Sequence, residues 1–191
     1  MTGATRSRLS WLAVAFALAS ACARHDARQV TDLDGRAVDP FEGAPRATVL
    51  VFVSTQCPIS NRYAPELGRL YAELAPRGAR FYLVYPVVAE SDAAVREHVH
   101  DYAFPFAALR DPGHRLVGRA GASVTPEVAV FDRGGALAYR GRIDDRQVDF
   151  GQARTEPTRR DLKLALEAVL ADRAPEVTTA PAIGCSIPPG R

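Results

Sequence analysis

One cysteine stands where an apolar run gives way to a helical pattern. The stretch VLVFVSTQCPISNRYAPEL covers residues 49–67 and holds Cys57, followed directly by Pro58. Proline suits the first helical turn, because its missing N–H would have no partner there. A cysteine just before a helix faces free backbone amides and the positive end of the helix dipole, which lowers its pKa. Since the thiolate attacks disulfides and peroxides, this position predicts a nucleophile at Cys57, the alternative being a buried structural cysteine.

A second thiol lies far along the chain, in a stretch rich in proline and glycine. This is Cys185, in the segment PAIGCSIPP. An extended tail that starts at about Ala171 reaches roughly 45 Å, which exceeds the diameter of a small domain. Cys185 is therefore a candidate resolving thiol that closes a disulfide with Cys57. Pairing between two molecules and a free thiol are the alternatives left open.

The elements that must position these thiols alternate along the chain. The predicted strands are residues 47–53, 81–88, 127–132 and 136–142, and the predicted helices are residues 61–75, 91–102, 115–120 and 158–170. The last helix is expected to begin with a capping box at Thr158-Arg-Arg-Asp161. The first two strands read as continuous apolar runs, which indicates burial on both faces. Alternation followed by a hairpin predicts an α/β fold, with a mixed central sheet and helices on both faces.

Three short segments together resemble a known fold. Cys57-Pro58 after a buried strand, Thr125-Pro126 before the third strand and the Gly134-Gly135 hairpin are similar to the thioredoxin fold, over about residues 40–172. The segments QCPISNRYAPEL, DPGHRLVGRAGASVTPEVAVFD and LAYRGRIDDR resemble the redoxin group, related to the alkyl hydroperoxide reductase/thiol-specific antioxidant family. The resemblance implies a cis bond between Thr125 and Pro126, and implies that both residues shape the substrate groove beside the cysteine.

The sequence departs from two patterns of that fold. Thioredoxins carry a second cysteine three positions after the first, where this chain has Ser60, which can donate a hydrogen bond to a thiolate or cap backbone amides. Peroxiredoxins carry a proline seven positions before their reactive cysteine and a threonine or serine three before it. Here these residues are Leu50 and Ser54. Arg142 is the candidate for the peroxiredoxin catalytic arginine.

The N-terminus has the pattern of an export signal, predicted over residues 1–21. Two arginines precede an apolar run over residues 9–18, and Ala19-Ser20-Ala21 follows. The next residue, Cys22, matches the acylated cysteine of a bacterial lipobox, although a plainly secreted protein is the alternative. Residues 22–39 are predicted to be a leader or linker, and residues 173–191 an extended tail that carries a cysteine. The predicted location is the periplasm or cell envelope, where disulfides persist.

Charge and the remaining polar residues exclude several functions. The formal net charge is +2, and removal of residues 1–21 takes two arginines and leaves 0. With acids interleaved among the basic residues, the sequence predicts no nucleic-acid partner. No spacing demands a metal or another cofactor, so none is predicted. Two groups of polar residues are expected at the surface or as helix caps: His98, His100 and His114, and Asp144, Asp145 and Asp161.

Three functions follow, with different partners. The first is an exported thiol–disulfide oxidoreductase, acting on protein thiols or disulfides with an external thiol reductant. The second is a peroxiredoxin-like peroxidase, whose substrate is a peroxide. The third is a non-enzymatic binding module or copper carrier that uses Cys57 and Cys185, since soft thiolates suit Cu(I). Any membrane contact is expected only through a lipid on Cys22.

Overall fold

A computed structural model of the protein describes residues 29–190. The predicted export signal and Cys22 lie outside the described residues. Within them, every helix is too short or too polar to span a membrane.

The structure has eleven strands and five α-helices in its described part. The strands are β1 (Thr31–Asp32), β2 (Ala47–Phe52), β3 (Ala79–Tyr85), β4 (Ala107–Arg110), β5 (Val124–Thr125), β6 (Glu127–Asp132), β7 (Leu137–Gly141), β8 (Gln147–Asp149), β9 (Gln152–Ala153), β10 (Thr179–Ala180) and β11 (Cys185–Ser186). The helices are α1 (Pro58–Arg62), α2 (Ala64–Leu74), α3 (Asp92–Asp101), α4 (Arg115–Ala120) and α5 (Asp161–Leu170).

A seven-stranded mixed sheet forms the centre, in the order β1-β4-β3-β2-β6-β7-β10. Strand β2 runs parallel to β3 and antiparallel to β6, and all six of its residues are buried. Its side chains alternate between two hydrophobic clusters, with Val49 and Val51 on one face and Leu50 and Phe52 on the other. Helices α1, α2, α3 and α5 contribute to the first cluster and α4 to the second. The predicted mixed sheet with helices on both faces is therefore confirmed.

Two features of the first half differ from the sequence prediction. Strand β4 was not expected, because four residues, AALR, carry no readable alternation. The helix predicted over residues 61–75 is split into α1 and α2 at Tyr63. Pro65 follows this break, and its ring and missing N–H prevent a continuous helix through this point. Cys57 is thus followed by a helix of only five residues.

The predicted tail is extended, and it is attached to the domain at two places, of which only the first belongs to the central sheet. Strand β10 pairs in parallel with β7, and β11 pairs antiparallel with β5. At the first place Gly141 has a φ of +147°, and a Cβ there would lie 1.9 Å from the carbonyl oxygen of Ala180. Only glycine allows this close approach of two backbones.

Three aspartates are buried, contrary to the expectation that they are solvated. Asp144 accepts from the Tyr63 hydroxyl at 2.7 Å, and Asp145 accepts from the backbone amide of Thr158 at 2.7 Å. Asp161 pairs with two arginines at the start of α5. Because Thr158 is bonded to Asp145 and the N-cap of α5 is Arg160, the capping box predicted at Thr158 does not form. These carboxylates hold the loop before α5 to the body of the domain.

Candidate active site

Cys57 occupies the junction between β2 and α1. It is the N-cap residue of α1, with φ −92° and ψ 107°, and the exposed Pro58 begins the helix. The Cys57 side chain is fully buried and belongs to the first hydrophobic cluster. Burial alone would suit a structural cysteine, so the groups around the sulfur decide its chemistry.

Those groups lower the pKa of Cys57 to about 7 from an ordinary value of 9.0. Burial raises the pKa, but hydrogen bonds from the side chains of Ser60 and Cys185, and from the backbone at both residues, stabilise the thiolate more than burial disfavours it. The backbone donor at Ser60 is one of the free amides at the start of α1. Because α1 has five residues, its dipole is small, and these local donors are the main cause.

Ser60 lies beneath the sulfur and is fully buried. Within residues 29–190 its hydroxyl has no hydrogen-bond partner while Cys57 is a neutral thiol. Its neighbour is Cys57 Sγ, to which it donates once the thiol ionises. The residue at the position of a second thioredoxin cysteine therefore supplies a proton donor.

On the opposite side lies the Thr125–Pro126 bond, which is cis as the resemblance implies. In the protonated state, the Cys57 thiol donates to the carbonyl oxygen of Thr125 at 2.9 Å. Thr125 and Pro126 are both buried, and Glu127 fixes the loop before them by accepting from the amide of Ser123 at 2.7 Å. The two residues thus form one wall of the pocket around the sulfur.

Cys185 is brought to the same pocket by the tail. In the pairing of β11 with β5 it stands opposite Thr125, and the Thr125 hydroxyl donates to its carbonyl oxygen at 3.4 Å. Both Cys57 and Cys185 are free thiols. The pKa of Cys185 is raised to about 11 by burial, and further by the hydrogen bond and charge of Cys57. Gly184 allows this approach, since a Cβ there would lie 2.1 Å from the Thr125 oxygen.

A buried carboxylate that the sequence analysis missed fixes the loop before Cys57. Glu90 Oε1 accepts from the Ser54 hydroxyl at 2.7 Å, and from the amide and hydroxyl of Thr55 at 2.7 and 3.0 Å. The Ser54 hydroxyl accepts from the Gln56 amide at 3.2 Å, and the Ser54 carbonyl accepts from the Cys57 amide at 3.1 Å. Ser54 therefore shapes the loop that carries the thiol. The only sequence signal for Glu90 is an acid at the end of an apolar run.

Arg142 is not brought to the cysteine pocket by its contacts. Its guanidinium Nε donates to Asp161 at 2.7 Å, where α5 begins. Its backbone amide donates to the carbonyl oxygen of Ala180 in β10. These contacts place Arg142 between α5 and the tail.

His98 is buried, contrary to the expectation of a surface residue. Its Nδ1 lies 2.8 Å from the Tyr85 hydroxyl and its Nε2 lies 2.8 Å from Asn61 Oδ1. Burial lowers the pKa of His98. Asn61 is one turn after Cys57, and its backbone amide donates to the Cys57 carbonyl. By bonding to the Asn61 side chain, His98 therefore helps to hold the first turn of α1. Across the described residues there is no cluster of three or more histidines, cysteines or acids that could hold a metal.

Comparison with known proteins identifies the family of this chain. The AhpC/TSA family model matches residues 24–140. The thiol-disulfide oxidoreductase ResA of Bacillus thuringiensis (strain Al Hakam) is 26% identical over 108 residues, which cover 56% of this chain and 61% of that protein. A conserved protein of Geobacillus kaustophilus, described as uncharacterized, has a crystal structure similar to 83% of this chain and 86% of its own, with 28% identity and a TM-score of 0.73.

The fold is also shared with a more distant structure. A thioredoxin-like protein from Aeropyrum pernix is 17% identical, with 58% of this chain and 78% of its own covered and a TM-score of 0.52. That likeness concerns the fold alone. With a thioredoxin-like fold and a family match over more than half of its length, the chain belongs to the AhpC/TSA family.

Proposed function

We propose that the protein is an exported thiol–disulfide oxidoreductase in which Cys57 is the nucleophile and Cys185 the resolving thiol. The observation that carries the proposal is the pairing of β11 with β5. It sets Cys185 opposite Thr125, whose carbonyl oxygen lies 2.9 Å from Cys57 Sγ. Two thiols from distant parts of the chain thereby share one pocket. The chemistry named for the Bacillus thuringiensis relative supports the same reaction here.

In the first step, the Cys57 thiolate attacks one sulfur of a substrate disulfide. A bond forms between Cys57 Sγ and that sulfur, the substrate S–S bond breaks, and the other sulfur leaves as a thiolate that takes a proton from water. With a pKa of about 7, about half of the Cys57 side chains are ionised at neutral pH. A thiol at the ordinary pKa of 9.0 is only about one per cent ionised there.

In the second step, Cys185 attacks Cys57 Sγ and releases the bound substrate sulfur as a second thiolate. The two protein thiols become one disulfide, and their two electrons convert the substrate disulfide into two thiols. An external dithiol then reduces the Cys57–Cys185 disulfide and completes the cycle. The reverse direction, oxidation of substrate thiols, uses the same bonds.

The pKa of Cys185 is high before the first step and falls before the second step, in which Cys185 is the nucleophile. In the reduced protein, burial raises it first, and the neighbouring Cys57 raises it further. The second contribution depends on the negative charge of Cys57. That charge disappears in the mixed disulfide, so the pKa of Cys185 falls when this thiol is needed as the second nucleophile.

Export is supported by the charged start and apolar run of residues 1–21. We expect a mature protein that begins at an acylated Cys22, and mass spectrometry of the mature N-terminus tests this. An unmodified terminus at Cys22 or Arg24 would exclude the lipid anchor.

Peptide mapping without reduction tests the thiol chemistry. The reduced chain is mixed with hydroxyethyl disulfide, which needs little room, then acid-quenched, alkylated and digested with trypsin. Cys57 and Cys185 fall in separate tryptic peptides, residues 47–62 and 174–191. We expect these two peptides to become linked by a disulfide. In Cys185→Ser, a mixed disulfide with the reagent should accumulate on the first peptide instead.

The exposed neighbour Ser186 provides a matched control. Ser186→Ala should leave both products unchanged. If the mixed disulfide on Cys185 in Cys57→Ser forms as fast as the one on Cys57 in Cys185→Ser, the assigned roles of nucleophile and resolving thiol are contradicted. Peroxide consumption measured by stopped flow addresses the peroxidase alternative, which requires a rate above that of free cysteine.

A further inference from the structure

The reactive sulfur is closed off from solvent, although a nucleophile must touch its substrate. Cys57 has 0% of its surface exposed. The tail contributes to this closure, because Gly184 lies against the Thr125 carbonyl and Cys185 stands opposite Thr125, whose carbonyl oxygen lies 2.9 Å from Cys57 Sγ. A protein disulfide has no path to Cys57 while the tail occupies this place.

The tail is held unequally along its length. Ala180 in β10 is buried, and the close approach of Gly141 anchors it to β7. Beyond it, residues 181–190 are half-buried or exposed except for Gly184. Their attachment includes the two-residue strand β11, a bond from the Thr125 hydroxyl to the Cys185 carbonyl at 3.4 Å, a bond from the Ile187 amide to the Ser123 carbonyl at 2.9 Å, and partly buried apolar contacts. The segment after Ala180 is therefore the part that can open without unfolding the sheet.

The hydrogen-bonding groups along the edge of β5 determine what kind of segment can bind there in place of the tail. The amides of Ser123 and Val124 are already bonded to Glu127, at 2.7 and 3.3 Å. The Ser123 carbonyl accepts from the tail, and the Thr125 carbonyl lies against Gly184. This edge thus offers acceptors to backbone N–H groups, which an extended polypeptide supplies by adding a strand.

We infer that residues 181–190 form a displaceable strap over Cys57, and that the partner that reaches Cys57 is an extended polypeptide segment that takes the place of β11 on β5. The inference rests on the proposed function, since it names the form in which that site accepts its substrate. It also predicts a selectivity. A partner strand in the register of β11 presents its reacting cysteine opposite Thr125 and its preceding residue where Gly184 lies. A side chain at that preceding position meets the Thr125 carbonyl, so the register favours a Gly-Cys pair.

The strap and any partner compete for the same edge of β5, and the strap has the advantage of being tethered to it by the chain. A tethered segment acts with an effective concentration on the order of millimolar, so a partner must bind well or wait for the strap to open. Displacing the strap should therefore speed the reaction of Cys57 with a bulky reagent.

The test uses full-length variants that lack the second thiol. Cys185→Ser keeps the strap, and adding Gly184→Val displaces it, because the new Cβ would lie 2.1 Å from the Thr125 oxygen. The matched control adds Ser186→Val, which puts the same side chain at an exposed position. Modification of Cys57 by a polymer-linked maleimide is followed by mass spectrometry. We expect roughly a tenfold or larger increase for Gly184→Val and none for the control, since an occluded thiol reacts only after local opening.

The outcomes separate the strap from the proposed function. Equal and rapid modification in all three variants overturns the strap and leaves the nucleophile in place. If Cys57 resists even iodoacetamide at pH 9 in all three, the proposed function itself fails.

Peptides give a second measurement that leaves Gly184 of the strap unchanged. The peptide PAIGCSIPP, activated as a mixed disulfide with nitrothiobenzoate, is mixed with the Cys185→Ser chain, and Cys57 attacks its sulfur and releases the coloured thiolate. We expect the reaction to be about ten times faster than with PAIVCSIPP, because only glycine fits against the opposing carbonyl oxygen. Equal rates for the two peptides would overturn the assigned register.

Discussion

Replacing Ser60 by alanine isolates the cause of the low pKa of Cys57. The hydroxyl of Ser60 is fully buried and has no hydrogen-bond partner in the described part of the chain while Cys57 is protonated, so its main role there is donation to the Cys57 thiolate. Removing the hydroxyl takes away a donor from the charged form only. The thiol form keeps its own bond to the Thr125 carbonyl. We therefore expect Ser60→Ala to raise the pKa of Cys57 with little loss of folding stability at acidic pH.

The size of the shift follows from the strength of the lost bond. A hydrogen bond to a charged group contributes about 1.5–3 kcal/mol, and one pKa unit corresponds to about 1.4 kcal/mol. The pKa of Cys57 should thus rise by about one to two units from its value of about 7. At pH 7 the thiolate fraction falls about 5- to 50-fold, but each remaining thiolate is about 3- to 10-fold more nucleophilic, as thiol reactivity rises with pKa. The net rate at pH 7 should fall about two- to eightfold.

The rate of alkylation by iodoacetamide between pH 5 and pH 10 measures both effects. Trypsin places Cys57 in the peptide of residues 47–62, so its reaction is followed separately from that of Cys185. The wild-type rate should reach half of its maximum near pH 7. The curve for Ser60→Ala should reach half of its maximum one to two units higher and exceed the wild-type rate at pH 10, because its thiolate is the stronger nucleophile. The two curves must therefore cross.

The crossing is what distinguishes lost donation from a distorted pocket. A variant whose pocket is merely distorted or more occluded would react more slowly at every pH. An unchanged midpoint in Ser60→Ala would show that Ser60 does not stabilise the thiolate, and a wild-type midpoint near pH 9 would refute the whole account of the site.

The pH dependence of folding stability gives an independent measure of the same pKa. The folded pKa is depressed, so this group stabilises the reduced chain above its unfolded pKa, and that contribution is lost as pH falls through about 7. Ser60→Ala should reduce this pH dependence.

Two further predictions concern the supports of the site. Glu90→Ala leaves the part-buried amide of Thr55 without its acceptor and should lower the free energy of unfolding in urea by about 1–3 kcal/mol. Glu90→Gln keeps one acceptor oxygen and should cost less. Equal losses in the two variants would contradict a role of Glu90 in hydrogen bonding. Gly141→Val puts a Cβ 1.9 Å from the carbonyl oxygen of Ala180 and should displace β10 from β7. Trypsin should then cut after the exposed Arg173 faster than in the wild-type chain. Unchanged cleavage would show that other contacts hold the tail.

The central elements could be predicted because their burial shows in the sequence as apolar runs and apolar spacing. Strand β2 is a continuous apolar run buried on both faces, and its predicted range of residues 47–53 differs from the observed Ala47–Phe52 by one residue. Helix α5 was found from apolar spacing, although its predicted cap was wrong. The cis bond at Pro126 came only from the family resemblance, since the residues around it give no separate signal for it.

The polar parts of the site could not be predicted, because each depends on a partner that is remote in sequence. Glu90 is buried only where Ser54 and Thr55 donate to it, and His98 is buried only where its ring nitrogens hydrogen-bond to the Tyr85 hydroxyl and to Asn61 Oδ1. A charged or polar residue read alone is expected at the surface, since burial without partners is costly. The same reasoning explains why the buried aspartates before α5 were expected to be solvated.

Tail length allowed Cys185 to reach the pocket but could not determine the register in which it arrives. That register depends on two glycines, Gly141 and Gly184, at which the tail backbone and that of the domain approach more closely than any side chain permits. When both active thiols lie on one helical turn, they keep a fixed relation. In this chain the second thiol is carried by the segment that closes the pocket. Under the proposed cycle, a substrate enters only when that segment leaves, and the mixed disulfide is resolved only when it returns. The lifetime of the mixed disulfide should therefore be governed by closure of the strap as well as by thiol chemistry.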